Sequence, residues 1–202
     1  MSGAKIKICG LFRPCDAQSV NDAMPDYAGF VFDDRSRRYV APQQAHRLRE
    51  AICPGIVTVG VFVDAPQERI AALYRAQVIG VVQLHGGEGD GDIARLREAL
   101  CGVEIWQAYK IRSAADRRAA EQSTADRVLL DSGSGSGRRF DWSLIEGFAR
   151  PFVLAGGLTP ETIPEAIARL HPDVVDISSG VESGGVKDPG KMLSAVAAAR
   201  GP

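Results

Sequence analysis

A single (β/α)8 barrel spanning residues 1–202 is the fold the sequence predicts, and three observations carry it. Eight short runs rich in β-branched and apolar residues recur at intervals of about two dozen residues. Amphipathic segments separate them, several with recognisable helix starts. The runs are too apolar for a sheet with one solvated face, which favours a parallel barrel wrapped in helices over an open doubly wound sheet, the second choice. No GxGxxG opens the first helix and no P-loop lysine motif occurs.

In chain order the strands fall at 5–9 (KIKIC), 27–32 (YAGFVF), 56–63 (IVTVGVFV), 79–84 (IGVVQL), 103–109 (VEIWQAY), 127–131 (RVLLD), 151–155 (PFVLA) and 173–178 (DVVDIS). The first helix is short, 15–24, and stops at Met24-Pro25. Asp64-Ala65-Pro66 reads as a helix start, Asp141 as an N-cap in Phe140-Asp141-Trp142, and Pro160 as the first residue of a helix over 160–169. Pro164 inside that last helix conflicts with it, because a proline beyond the first turn removes a hydrogen bond.

Composition narrows the partners. Hydrophobic residues make up 45% and charged residues 24%, with a formal net charge of -1, so neither disorder nor a polyanion-binding face is indicated. A small molecule is expected, and neither nucleic acid nor a membrane. No signal-like segment or membrane-length apolar run occurs, so a soluble cytoplasmic enzyme is expected. Cys9, Cys15, Cys53 and Cys101 lack CxxC pairing, and His46, His85 and His171 share no ligand spacing with them. Reduced thiols, no metal site and no cofactor are the expectation. No heptad or apolar stripe fixes the assembly, leaving monomer or homodimer.

Barrel enzymes build their sites from the loops that follow the strands, and here the unusual residues collect at strand C-termini. Side chains alternate along a strand, so Lys5, Lys7 and Cys9 share one face and Ile6 and Ile8 the other. With the isoleucines against the helices, Cys9 lies at the rim, two residues above an ammonium group that would lower its pKa. It is a candidate base or nucleophile, set against an ordinary buried thiol. Asp131 ends the sixth strand on the face of Leu129: a candidate general acid or base, or a carboxylate that caps its loop or pairs with Arg138 or Arg139. The SGSGSG run at 132–137 suits either a linker or a lid.

Strand seven runs into Ala155-Gly156-Gly157-Leu158 and strand eight into Ser178-Ser179-Gly180-Val181-Glu182. Two glycine-bearing loops in those places suit phosphate, which barrels often hold there on backbone N–H groups. Among Arg35, Arg37 and Arg38 one guanidinium could fork onto a carboxylate, or all three could belong to a solvated loop. Gln83 and His85 either orient substrate or satisfy the core. A phosphate pocket, a thiol, a carboxylate and an arginine suit proton-transfer isomerisation of a phosphorylated sugar derivative.

KICG (7–10), GFVF (29–32), SRRY (36–39), VGVFV (59–63), VQLHG (82–86), LLD (129–131), FDW (140–142), AGGL (155–158) and DISSGVE (176–182) cover nearly the whole chain in order. Together they resemble the phosphoribosylanthranilate isomerases of tryptophan biosynthesis. The resemblance implies a (β/α)8 barrel and a cofactor-free Amadori rearrangement of N-(5-phosphoribosyl)anthranilate to 1-(2-carboxyphenylamino)-1-deoxyribulose 5-phosphate. It implies Cys9 as general base and Asp131 as general acid. Arg38 would take the anthranilate carboxylate, and Gly156, Gly157, Ser178, Ser179 and Gly180 the phosphate, with Asp176 in support.

The chain departs from the family pattern at Phe12, at Arg138-Arg139 where a lysine usually precedes FDW, in the shortened first helix and at Pro164. Rival readings are a histidine-pathway sugar isomerase, expected to use aspartates at the first and fifth strand ends, where Cys9 stands in place of the first, and indole-glycerol phosphate synthase, whose lysine-rich set is not visible. A non-catalytic phosphometabolite-binding barrel is a third.

Overall fold

The computed structural model describes residues 3–131 and 141–201. All eight expected strands are present: β1 (Lys5–Cys9), β2 (Tyr27–Val31), β3 (Val57–Phe62), β4 (Val81–Leu84), β5 (Glu104–Lys110), β6 (Arg127–Asp131), β7 (Phe152–Ala155) and β8 (Val174–Ile177). Each pairs in parallel with the next, and β8 closes on β1 with Lys7 opposite Asp176. A two-stranded antiparallel hairpin, β9 (Glu182–Ser183) and β10 (Val186–Lys187), follows β8.

Alternation along each strand divides the interior into two cores. Ile6 and Ile8 are fully buried and join the outer core between sheet and helices. A second core fills the barrel itself, with Tyr27, Val59, Val81, Trp106, Leu129, Val153, Ala155 and Val174 contributed by seven strands. Tyr27 meets the Trp106 ring edge-on at 5.0 Å, and the indole N–H donates to Glu104 Oε1 at 2.7 Å. The middle of the barrel is thus apolar, with Glu104 and Arg127 paired at 3.1 Å at the end where strands begin and a second set of polar side chains at the end where they finish.

Helices α1 (Pro14–Ala23), α2 (Pro42–Ala51), α3 (Gln67–Arg75), α4 (Asp90–Ala99) and α5 (Ala114–Gln122) follow the first five strands. After β6 the described chain carries only a 3-10 turn, Trp142–Leu144, capped by Asp141, whose carboxylate accepts the Ser143 N–H at 3.1 Å. Asp64 does not cap α3. Its carboxylate accepts the Gly87 N–H at 2.7 Å instead, tying the loop after β3 to the loop after β4.

The helix drawn over 160–169 begins later, as α6 (Ile163–Leu170). Pro160 sits inside a turn closed by the Thr162 N–H on the Thr159 carbonyl at 3.0 Å. Pro164 is therefore the second helical residue, where a missing N–H costs nothing because that group has no partner within the helix. The chain ends with α7 (Pro189–Arg200). No helix among the described residues is long and apolar enough to cross a membrane.

The end of the barrel where strands begin is held by aspartates. Asp126, just before β6, accepts the Ile105 N–H on Oδ2 at 2.8 Å while its own N–H donates to the Ile105 carbonyl. Asp173, just before β8, does the same for Phe152, with the side-chain bond at 2.9 Å. Asp26, just before β2, accepts the Ile6 N–H at 2.9 Å. Each carboxylate closes the first rung between an odd strand and the next, where the ladder has no further residue to supply an acceptor.

Candidate active site

Cys9 at the end of β1, Asp131 at the end of β6, Asp176 on β8 and Gln83 on β4 all face inward, above the apolar layers. With Arg38, His85, Gly156, Gly157, Ser178 and Ser179 they wall one cavity of about 310 Å³ at the C-terminal end of the strands. A larger cavity of about 630 Å³ lies at the opposite end, around the start of β3 (Val57, Thr58) and Gly80 before β4. It holds none of the inward strand-end groups, so size is a poor guide here and chemistry selects the smaller one.

Lys7 lies beneath the site, as alternation on β1 requires. Its side chain is 0% exposed, and Nζ donates to Asp176 Oδ2 at 2.9 Å. Burial works against the ammonium charge, but the Asp176 carboxylate and the Cys9 sulfur outweigh it and raise the lysine pKa. Asp176 Oδ1 and Gln83 Oε1 are buried and have no partner among the described residues. Both belong to residues of the cavity wall, the place where an acceptor left open is completed by a ligand.

Cys9 departs from expectation in its charge. Burial pushes its thiol pKa up; Lys7 pulls it down and Asp176 pushes it up again, and the net shift is upward. The ammonium below lowers the cost of the thiolate without overcoming the desolvation of a group only 8% exposed. Gly29 stands beside Cys9 in the β1–β2 ladder, and a Cβ there would lie 2.8 Å from the Cys9 sulfur. The glycine leaves the room that sulfur occupies. Ser178 Oγ donates to the Cys9 carbonyl at 3.0 Å, fixing the end of β1 against the loop after β8.

Across the cavity, His85 Nε2 lies 3.7 Å from Asp131 Oδ2. The Gln83 side-chain amide meets His85 Nδ1 at 3.0 Å, joining the end of β4 to the ring that faces Asp131. Arg138, Arg139 and the SGSGSG run at 132–137 lie outside the described residues.

Gly156 and Gly157 have φ of 96° and 69°, a left-handed pair that turns the loop after β7 back over the cavity. Ser178 and Ser179 face them from the loop after β8. Gly180 lies outside the wall, with its Cα packed on the Leu158 carbonyl. Arg38 reaches the cavity, yet its fork is already engaged: Nε and Nη2 donate to the two oxygens of Glu182 at 2.6 and 3.0 Å.

Residues 6–198 match the family model described as N-(5'phosphoribosyl)anthranilate (PRA) isomerase. The chain belongs to that family. An N-(5'-phosphoribosyl)anthranilate isomerase from Endomicrobium trichonymphae is 43% identical over 197 residues, covering 95% of this chain and 96% of its own length. A dimeric phosphoribosylanthranilate isomerase from Thermotoga maritima, solved as mutually generated monomers, superposes with a TM-score of 0.85 at 34% identity, covering 97% of this chain and 98% of its own. A phosphoribosylanthranilate isomerase solved with reduced 1-(o-carboxyphenylamino)-1-deoxyribulose 5-phosphate superposes at 0.83 with 33% identity, covering 96% of each chain. The region matched to the phosphoribosylanthranilate isomerase model contains every residue of the cavity wall.

Two residues of this isomerase-family site were not singled out from sequence. In the sequence Glu182 only closes the stretch Ser178-Ser179-Gly180-Val181-Glu182, and nothing marks Lys187. The hairpin places them directly opposite each other, and Lys187 Nζ, fully enclosed, donates to Glu182 Oε1 at 3.0 Å and to the Ser178 carbonyl at 2.9 Å. The available signal was the pair Gly184-Gly185, which marks a tight turn between them.

Proposed function

We propose that this cavity isomerises N-(5'-phosphoribosyl)anthranilate by a cofactor-free Amadori rearrangement, the step its family performs in tryptophan biosynthesis. The observation that carries the reading is the placement of Cys9 and Asp131 on the ends of β1 and β6, facing one cavity whose wall also holds the two glycine–serine loops. Phosphate would rest on Gly156, Gly157, Ser178 and Ser179, with Gly180 behind them turning the loop after β8 against Leu158, and the anthranilate carboxylate on Arg38. These two anionic anchors hold the ribose between acid and base.

Asp131, protonated, donates to the furanose ring oxygen as the ring opens to an iminium. Cys9 as thiolate then removes the proton from C2', whose acidity the iminium has raised, and the enolamine relaxes to the ketone. Burial favours the Cys9 thiol, so the unliganded site leans away from the thiolate this step needs. A phosphate dianion entering the cavity disfavours charge on Asp131, and Lys7 remains beneath Cys9 as the counter-charge of its thiolate. Asp176 Oδ1 is an acceptor for a substrate hydroxyl.

The test is the loss of phosphoribosylanthranilate fluorescence on mixing with purified protein, run in parallel with the histidine-pathway aminoaldose. Turnover of the first is expected. Binding without turnover, in conditions where another member of the family is active, would overturn the enzymatic reading. Light scattering on the same preparation separates monomer from homodimer.

A further inference from the structure

Glu182 sits behind the cavity wall rather than on it, and its side chain is only 4% exposed. Both its oxygens are claimed by cations. Oε1 accepts Arg38 Nε at 2.6 Å and Lys187 Nζ at 3.0 Å, and Oε2 accepts Arg38 Nη2 at 3.0 Å and Arg37 Nη2 at 2.5 Å. Lys187 is itself fixed, because its Nζ also donates to the Ser178 carbonyl and its own carbonyl accepts Arg13 Nη2 at 2.7 Å. A continuous chain of charge-assisted bonds therefore runs from Arg38 through Glu182 and Lys187 to the turn assigned to phosphate.

Two consequences follow from that geometry. An arginine on a loop loses much side-chain freedom when it binds an anion, and one whose fork is already held has lost it beforehand. Glu182 also cancels only one of the three positive charges it touches, so the cluster stays cationic and suits a ligand with two anionic ends. We propose that Glu182 is a positioning residue: it holds Arg38 by the Nε–Nη2 edge and presents the Nη1 corner at a set distance from the Ser178–Gly180 turn. Through that spacing it selects ligands that carry both a carboxylate and a phosphate. The proposal rests on Arg38 as the carboxylate site.

Steady-state kinetics with two substrates test it: phosphoribosylanthranilate and its uncarboxylated counterpart, N-(5'-phosphoribosyl)aniline. Glu182→Gln is expected to raise KM for the carboxylated substrate by about ten- to a hundredfold, the worth of one charge-assisted hydrogen bond, with kcat little changed. KM for the uncarboxylated substrate should not move. Glu182→Asp keeps the charge that Lys187 needs and should give a smaller rise. In an Arg38→Ala background Glu182→Gln should add nothing.

A KM that stays or falls in Glu182→Gln overturns the proposal, the fall showing that Glu182 competes with the ligand for Arg38. An equal rise for both substrates, or a rise that persists without Arg38, overturns it as well. Arg38→Ala separates the two readings: an unaltered KM removes the carboxylate site itself, whereas a raised KM there with an unaltered Glu182→Gln removes only the positioning role. Thermal melts accompany every variant, and if both Glu182 variants fail to fold the residue is structural and the proposal falls.

Discussion

The two ends of the barrel use the same residue types for opposite purposes. Where the strands begin, Asp26, Asp126 and Asp173 each accept a backbone N–H, and Asp126 also pairs with Arg97 at 2.8 Å. Where they end, Asp176 and Gln83 keep a buried oxygen without a partner among the described residues. A buried acceptor left open costs roughly 1–3 kcal/mol, so the fold tolerates it only where something else is gained. The open acceptors, more than cavity size, distinguish the end that does chemistry from the end that holds the barrel together.

The contrast breaks most sharply at Cys9 and Asp131, the two groups proposed to move protons. Cys9→Ala and Asp131→Asn are each expected to lower kcat by about 10²–10⁴-fold, the usual contribution of such groups, while thermal stability changes little. Equal kcat in either variant removes that residue from the mechanism. A large loss of stability would instead place it with the strand-start aspartates as a holding residue.

Next in size is the pH dependence of the thiol. Because burial raises the Cys9 pKa above its ordinary 9.0, the thiol form persists to higher pH and the base appears only as pH climbs through the raised value. The profile of kcat/KM, which reports the free enzyme, should therefore still be rising at pH 9. Absorbance of the thiolate in a variant with Cys15, Cys53 and Cys101 replaced by serine gives the same titration directly. A plateau reached below pH 9 would mean that Lys7 prevails over burial.

At the other end a single carboxylate is worth less, and its loss is felt elsewhere. Asp126→Ala leaves the Ile105 N–H without its acceptor. Stability should fall by about 1–2 kcal/mol, lowering Tm by about 2–8 °C in a chain of this length. Both kcat and KM should stay at wild-type values. A loss of activity at temperatures where the variant is folded would show that the two ends are coupled.

How much of this was readable in advance depends on whether local sequence decides the feature. The eight strands were legible because a barrel buries both faces of every strand and leaves apolar runs that stand out. Cys9 and Asp131 were legible because period-two alternation places a strand's last residue on the same face as its core neighbours. The start of α6 was not, since Thr159-Pro160 reads equally as a turn and as a helix start, and only the Thr162 bond to Thr159 decides. The Cys9 shift depends on how deeply β1 is covered, which no neighbour in sequence reports. The Arg38–Glu182 fork joins residues 144 apart, so nothing near either residue in the sequence announces the pairing.

The smallest effect concerns the loops that enter the strands. Met24 and His171 follow α1 and α6 with φ of 52° each, and their N–H groups close the helices on Val20 and Ile167. Those loops demand the left-handed region, where a Cβ costs roughly 1–2 kcal/mol, yet neither position carries glycine. Substituting glycine relieves that strain but lets the unfolded chain roam further, which returns part of the gain. Met24→Gly and His171→Gly are each expected to raise stability by about 0.5–1 kcal/mol and to leave kcat/KM untouched. Chemical denaturation reads the difference. A destabilised His171→Gly would show that the imidazole does work in its loop beyond closing α6, and would move that residue out of the set whose only task is to hold the barrel.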